Sequence, residues 1–226
     1  MIPEIRNLGE QDFKFYWKPY LRGSPPFHFV FLAFEPPLPD SKNNDSPLEG
    51  IFSEPLQFVI RELLVSLGVK SGFLITNMAK CSLTVNDLCE KTRTARFDAC
   101  FGFLQREVKL ASKGVKTHLV SIGQKPKHYL DRRLTSEQQI HSITHYSKRN
   151  EWRFTKFAQD RQQEFNDFQS RIRPRYEGFL QRDLPGHLPW YEGGNGKNRE
   201  KDLRRLFRWD AELEAIQKYL CCGPLT

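Results

Sequence analysis

The chain has 226 residues, 38% hydrophobic and 13% aromatic, enough to bury a sizeable core at about one and a half times a typical domain. Mean hydropathy is -0.61, and no apolar run approaches the ~18 residues of a membrane span, which argues against a transmembrane protein. The net charge of +8, from 35 basic and 27 acidic residues, is shared by both halves, so a polyanionic partner would meet a folded surface rather than a tail. The charged start MIPEIRNLGEQDF lacks the apolar stretch of a signal peptide, and five cysteines, an odd number, do not suggest a disulfide framework. Both features predict an intracellular, cytoplasmic protein.

In chain order, FHFVFLAF at 27–34 is aromatic and β-branched enough for a buried strand, stopped by Glu35-Pro36-Pro37. The proline- and asparagine-rich stretch 38–50 predicts a loop. Leu56, Val59, Ile60, Leu63, Leu64 and Leu67 then recur at helical spacing, with Ser53 to cap the start and Gly68 to close the end. GFLIT at 72–76 predicts a second strand ending at Asn77. A second helix carries Phe97, Cys100, Phe101, Leu104, Val108 and Ala111 on one face. HLVSI at 118–122 predicts a third strand stopped by Gly123, and 139–144 a weaker fourth ending at His145. Beyond Ser147 the pattern is helical: Phe154, Phe157, Phe165, Phe168 and Ile172 suit one long helix ended by Pro174, and 201–220 suits another, with 184–198 a loop between them.

Strands alternating with helices of this length predict an α/β fold, because parallel strands need long crossovers. The expected architecture is a three-layer αβα sandwich with a mostly parallel four-stranded sheet, followed by a helical C-terminal elaboration. Ligands gather at the carboxyl ends of such strands, where the polar residues are Glu35, Asn77 and His145.

The ordered motifs FLAFEPP, FLITNMAKC, LVSIG and THYS, spanning 27–147, resemble the uracil-DNA glycosylase superfamily, nearest to its iron-sulfur branch. The resemblance implies one glycosylase-like domain over 1–226, with a motif-bearing core at 27–147 and a mainly helical addition at 148–226. It makes Glu35 the carboxylate that positions or activates water, and His145 the imidazole facing the base. Asn77 becomes the base-reading amide, with Phe52 stacking on the extruded base and Phe34 beside it in place of the family's glycine. Lys148, Arg149 and Trp152 fall where the family enters DNA, and Arg132 and Arg133 are further candidates for phosphate contacts. The implied partner is DNA, single-stranded or duplex with a flipped base, bound by a monomer that leaves an abasic site. The branch holds its cluster with four cysteines, two upstream of the first motif; here none precedes Cys81, so the expectation is no cluster, metal or other cofactor.

The chemistry suits these residue types. Cleaving the bond from sugar C1′ to the base builds positive charge on the sugar and negative charge on the base, which a carboxylate and an imidazole donor respectively stabilise. An amide presents both a donor and an acceptor to a pyrimidine edge. Uracil is the family's default substrate, and the long stretch between Glu35 and Phe52, with the 81 residues after His145, makes a bulky modified pyrimidine its rival, with antiphage defence as a conceivable role. The alternatives are a catalytically inactive nucleic-acid-binding protein that keeps the fold, favoured by Phe34 and Pro36 in the first motif, and an enzyme acting on free nucleosides or nucleotides.

Overall fold

The computed structural model describes residues 20–22, 25–27, 29–33, 54–63, 73–79, 90–115, 117–134, 140–145 and 148–222. The chain divides into two compact units, one of residues 1–51 and 69–143 and the other of 52–68 and 144–226. The first is built on a sheet, the second on helices.

The sheet comprises β1 (Tyr20–Arg22), β2 (Phe29–Ala33), β3 (Phe73–Asn77), β4 (His118–Ile122) and β5 (Ile140–Ile143), in the spatial order β1-β3-β2-β4-β5. β2 to β5 are the four parallel strands expected from the sequence. β1 adds an antiparallel edge strand on β3, a common arrangement on otherwise parallel sheets. It was missed because three residues carry no readable alternation.

Parallel strands are buried on both faces, which is why 29–33, 73–77 and 118–122 are largely apolar runs and every one of their residues, the polar Thr76, Asn77, His118 and Ser121 included, is buried. Val30, Leu32, Leu74 and Leu119 on one face meet α2 (Glu90–Ser112) and α3 (Gln124–Asp131) through Phe97, Leu104, Val108, Ala111, Tyr129 and Leu130. Thr76 shares that face and donates to the buried Glu107 of α2 at 2.7 Å. The other face presents Phe29, Phe31, Phe73, Ile75 and Val120, all buried too. The helix expected from Phe97 to Ala111 is therefore present, with Cys100 on its buried side.

The helical unit contains α1 (Glu54–Phe58), continued by a π-turn over Val59–Leu63, then α4 (Glu151–Gln159), α5 (Gln162–Asp183), α6 (Leu188–Glu192) and α7 (Lys197–Cys222). Its core is aromatic. The Phe58 ring centroid lies 5.1 Å from that of Tyr176 and 5.3 Å from that of Phe179, and Phe207 packs within 5.4 Å of Phe157, Phe165 and Phe168. Ser53 and Gly68, the expected ends of the first helix, lie outside the described residues.

Two expectations are corrected here. The long helix does not end at Pro174; it breaks at Asp160–Arg161, and Pro174 sits inside α5. A proline removes one backbone hydrogen bond at a cost of about 3 kcal/mol. Pro174 is exposed, so water can satisfy the freed carbonyl, while Phe165, Phe168, Ile172, Tyr176 and Phe179 keep the buried face intact on both sides of it. The stretch 184–198 is not an irregular loop. It holds α6 between two short 3-10 turns, because Tyr191 is buried against Tyr176, ring to ring at 5.4 Å.

Candidate functional site

In the sheet unit the chain passes from β2 outward to β3, then back across β2 to β4. Strand order therefore reverses between β2 and β4, and in open parallel sheets ligands bind outside the carboxyl ends at such a reversal. β4 turns there into α3 through Gly123, whose φ of 99° suits glycine and strains other residues, and whose N–H donates to the Ile143 carbonyl at 2.8 Å. Ala33 and Asn77 end their strands side by side, and Met78 N–H donates to the Ala33 carbonyl at 2.9 Å, extending the pairing past the strand end. Glu35 follows Ala33 by two residues in the chain. Glu35, Phe34 and Phe52 lie outside the described residues.

Asn77 is 2% exposed, and its Oδ1 has no hydrogen-bond partner among the described residues. A buried, unsatisfied amide oxygen costs about 1–3 kcal/mol, which a bound water or another donor would offset. Its register partner Ala33 is buried as well.

His145 belongs to the helical unit. Its imidazole is half-buried, and burial holds its pKa below the ordinary histidine value, favouring the neutral ring. The residue before it is clamped by α7. Thr144 N–H donates to Glu212 Oε2 at 2.7 Å, Thr144 Oγ1 to Glu212 Oε1 at 2.6 Å, and the Trp209 indole to the Thr144 carbonyl at 2.7 Å. Arg208 Nε, 2.8 Å from Glu212 Oε1, completes the carboxylate's shell. The His145 carbonyl accepts from Asn150 Nδ2 at 3.0 Å. No sequence signal identified Trp209 or Glu212, because residues 65 and 68 positions apart become neighbours only through the fold.

After the strand-end motif, Lys148–Asn150 form a 3-10 turn and α4 begins. Arg149 is exposed, and Trp152, 60% exposed, is the most open large hydrophobic side chain among the described residues. Arg153 lies over its ring at 5.4 Å. The turn is held by Arg205, which donates to Glu151 at 2.7 Å, and by Phe154, packed edge-on to Trp209 at 5.4 Å.

Arg132 and Arg133 do not gather at the strand ends. They follow α3, whose eight residues carry the chain about 12 Å from Gly123, and they line a separate pocket. Arg133 pairs with Asp98 and lies 3.9 Å over the Tyr129 ring. His118 and His141, on neighbouring strands with ring nitrogens 3.3 Å apart, form a pair the sequence reading did not single out. Among the described residues no group of three or more histidine, cysteine or acidic side chains is arranged to hold a metal ion, and no helix is long and apolar enough to cross a membrane.

No protein-family model matches the chain, and no curated protein sequence matches it significantly.

Proposed function

We propose that this chain is a monofunctional DNA glycosylase that hydrolyses the N-glycosidic bond of a flipped-out uracil or modified pyrimidine and leaves an abasic site. The observation that carries the reading is Asn77: a buried amide with an unsatisfied oxygen at the carboxyl end of a central strand, in the motif ITNMAKC. In this reading that oxygen accepts from the ring N–H of uracil, with the amide N–H₂ facing the neighbouring carbonyl, or, for a modified cytosine, accepts from the exocyclic amine, with the amide N–H₂ facing the ring nitrogen. His145, kept neutral, donates to a base oxygen as negative charge develops there, and Glu35 orients water or stabilises the sugar cation. Trp152 is a suitable wedge, since a bulky ring can replace the stacking lost when a base leaves the duplex. Arg149 and Lys148 are assigned to flanking phosphates. No bound metal or other cofactor is needed for this chemistry.

The test is an untargeted search by mass spectrometry for bases released from DNAs in several modification states, including phage DNA with decorated cytosines. Release of one pyrimidine by the wild type, reduced about 100- to 1000-fold by Asn77→Ala or His145→Ala, is the expected result. Salt-dependent DNA binding without base release from any substrate would replace this reading with that of a catalytically inactive DNA-binding protein.

A further inference from the structure

We propose that Glu107 of α2 is a positioning residue for Asn77, acting through the Thr76 hydroxyl to fix how the last residue of β3 presents its amide. What the amide does rests on the glycosylase reading; how it is held rests on the geometry of the sheet unit alone.

Glu107 interrupts an apolar stripe. Leu104, Val108 and Ala111 recur at helical spacing and pack α2 on the sheet, and Glu107 lies among them, 0% exposed. A leucine or methionine there would continue the stripe, whereas a buried carboxyl group is tolerated only with hydrogen bonds. Thr76 supplies one: its Oγ1 donates to Glu107 Oε2 at 2.7 Å, a buried bond between residues 31 positions apart.

That bond falls where β3 is held least by its neighbours. Among the described residues β1 pairs with Phe73, Leu74 and Ile75 only, so over Thr76 and Asn77 the ladder holds β3 from the β2 side alone. The Thr76 side chain adds a hold to α2. Side chains alternate across a strand, so Leu74 and Thr76 face α2 while Ile75 and Asn77 face the other way. Glu107 therefore acts on the strand end and not on the amide itself.

Asn77 is bracketed as a result. Thr76 before it is tied to α2, and Met78 after it donates its N–H to the Ala33 carbonyl at 2.9 Å. Asn77 Oδ1 has no hydrogen-bond partner among the described residues, so no bond at the oxygen sets its aim. Its direction follows from the backbone on either side. Releasing Thr76 lets the strand end turn about its axis and misaims the amide that reads the base.

The consequence is specific. A smaller folded fraction scales the rates on all bases alike, whereas a misaimed amide lowers the ratio of kcat/KM for the preferred pyrimidine over the next best. The experiment therefore measures that ratio in full-chain variants, together with the NMR signals of the Asn77 side-chain amide. Thr76→Val keeps the shape and removes the donor; it should lower the ratio by about fivefold or more and shift the amide signals. Thr76→Ser and Glu107→Gln each keep a donor and an acceptor for the bond, and should retain most of both readouts. Glu107→Met removes the bond from the other side without leaving a carboxyl group buried. It should behave as Thr76→Val, and it carries the test if Thr76→Val does not fold. A lowered melting temperature in these two variants, with the ratio and the amide signals unchanged, would overturn the proposal and leave Glu107 a structural role only. Absence of base release by the wild type would remove the glycosylase reading instead. The amide signals alone would then decide whether Glu107 holds Asn77: a shift in both variants supports it, and unchanged signals overturn it.

Discussion

At the scale of single residues, His145 and Asn77 are held in states that water would not choose. Burial depresses the His145 pKa, so the neutral ring dominates at neutral pH. For a base with a depressed folded-state pKa, stability is fully present above the ordinary histidine value and is lost as pH falls through the lowered one. Base release should follow the same sign. Its acidic limb should fall below the ordinary histidine pKa, and a rate profile from pH 4.5 to 8, with the ring titration followed by NMR, checks this. Asp210 shows the opposite sign. Burial, with the charge of Glu214 adding to it, pushes its pKa up to about 6. The folded state therefore holds its proton more tightly than the unfolded chain, and stability from this group declines as pH rises from the ordinary carboxylate value towards 6. Asp210→Asn should raise stability by about 1–3 kcal/mol at pH 7.5 and by little at pH 4, as measured by urea unfolding at the two values.

At the scale of elements, α7 does more than close the chain. Glu212 accepts three hydrogen bonds, from Thr144 N–H, Thr144 Oγ1 and Arg208 Nε, while Trp209 takes up the Thr144 carbonyl. Thr144 is 8% exposed, so removing the carboxylate leaves a buried N–H without a partner, a cost of about 1–3 kcal/mol. Glu212→Ala should therefore lower both stability and turnover, and it should move the His145 titration towards the ordinary value; loss of stability alone would give α7 a structural role only. Glu212→Gln should recover part of the effect, since one amide oxygen can replace only one carboxylate oxygen. α4 offers a separate test. Trp152→Ala should leave stability nearly unchanged, because the ring is open to water, yet slow base release from duplex more than from single strands. Equal effects on both substrates would remove the wedge assignment.

Across the whole molecule, a net charge of +8 becomes informative only when its carriers are sorted. Many basic side chains are already engaged: Arg173 with Glu177, Arg182 with Glu62 and Asp183, Arg204 with Glu200, and Arg208 with Glu212. Such pairs contribute little stability individually, and they reduce the charge available to a polyanion. Among the described residues, Arg153 lies over the exposed Trp152 ring in α4 and Arg133 over Tyr129 beside α3, so basic side chains and aromatic rings meet at both. The logarithm of DNA affinity should fall linearly with the logarithm of salt concentration, and Arg149→Ala should reduce the slope by about 1 if that guanidinium meets a phosphate. Fluorescence anisotropy across 50–300 mM salt measures it.

The sequence by itself determined the four parallel strands, the helix that carries Phe97 to Ala111, and the polar residues at the strand ends. These rest on local periodicity and on the near-continuous apolar runs that burial on two faces demands. Where Glu35, Phe34 and Phe52 are concerned, sequence remains the basis of their assignment. Only the tertiary structure decided the rest. Pro174 stays inside α5 because its neighbours' packing on the buried face outweighs one lost hydrogen bond. Tyr20–Arg22 is a strand because β3 offers it an edge. Thr144 is clamped by side chains 65 and 68 positions away, and Arg132 joins Thr94 in a groove across two helices. Each of these depends on contacts between residues far apart in the chain, which no window of local sequence contains.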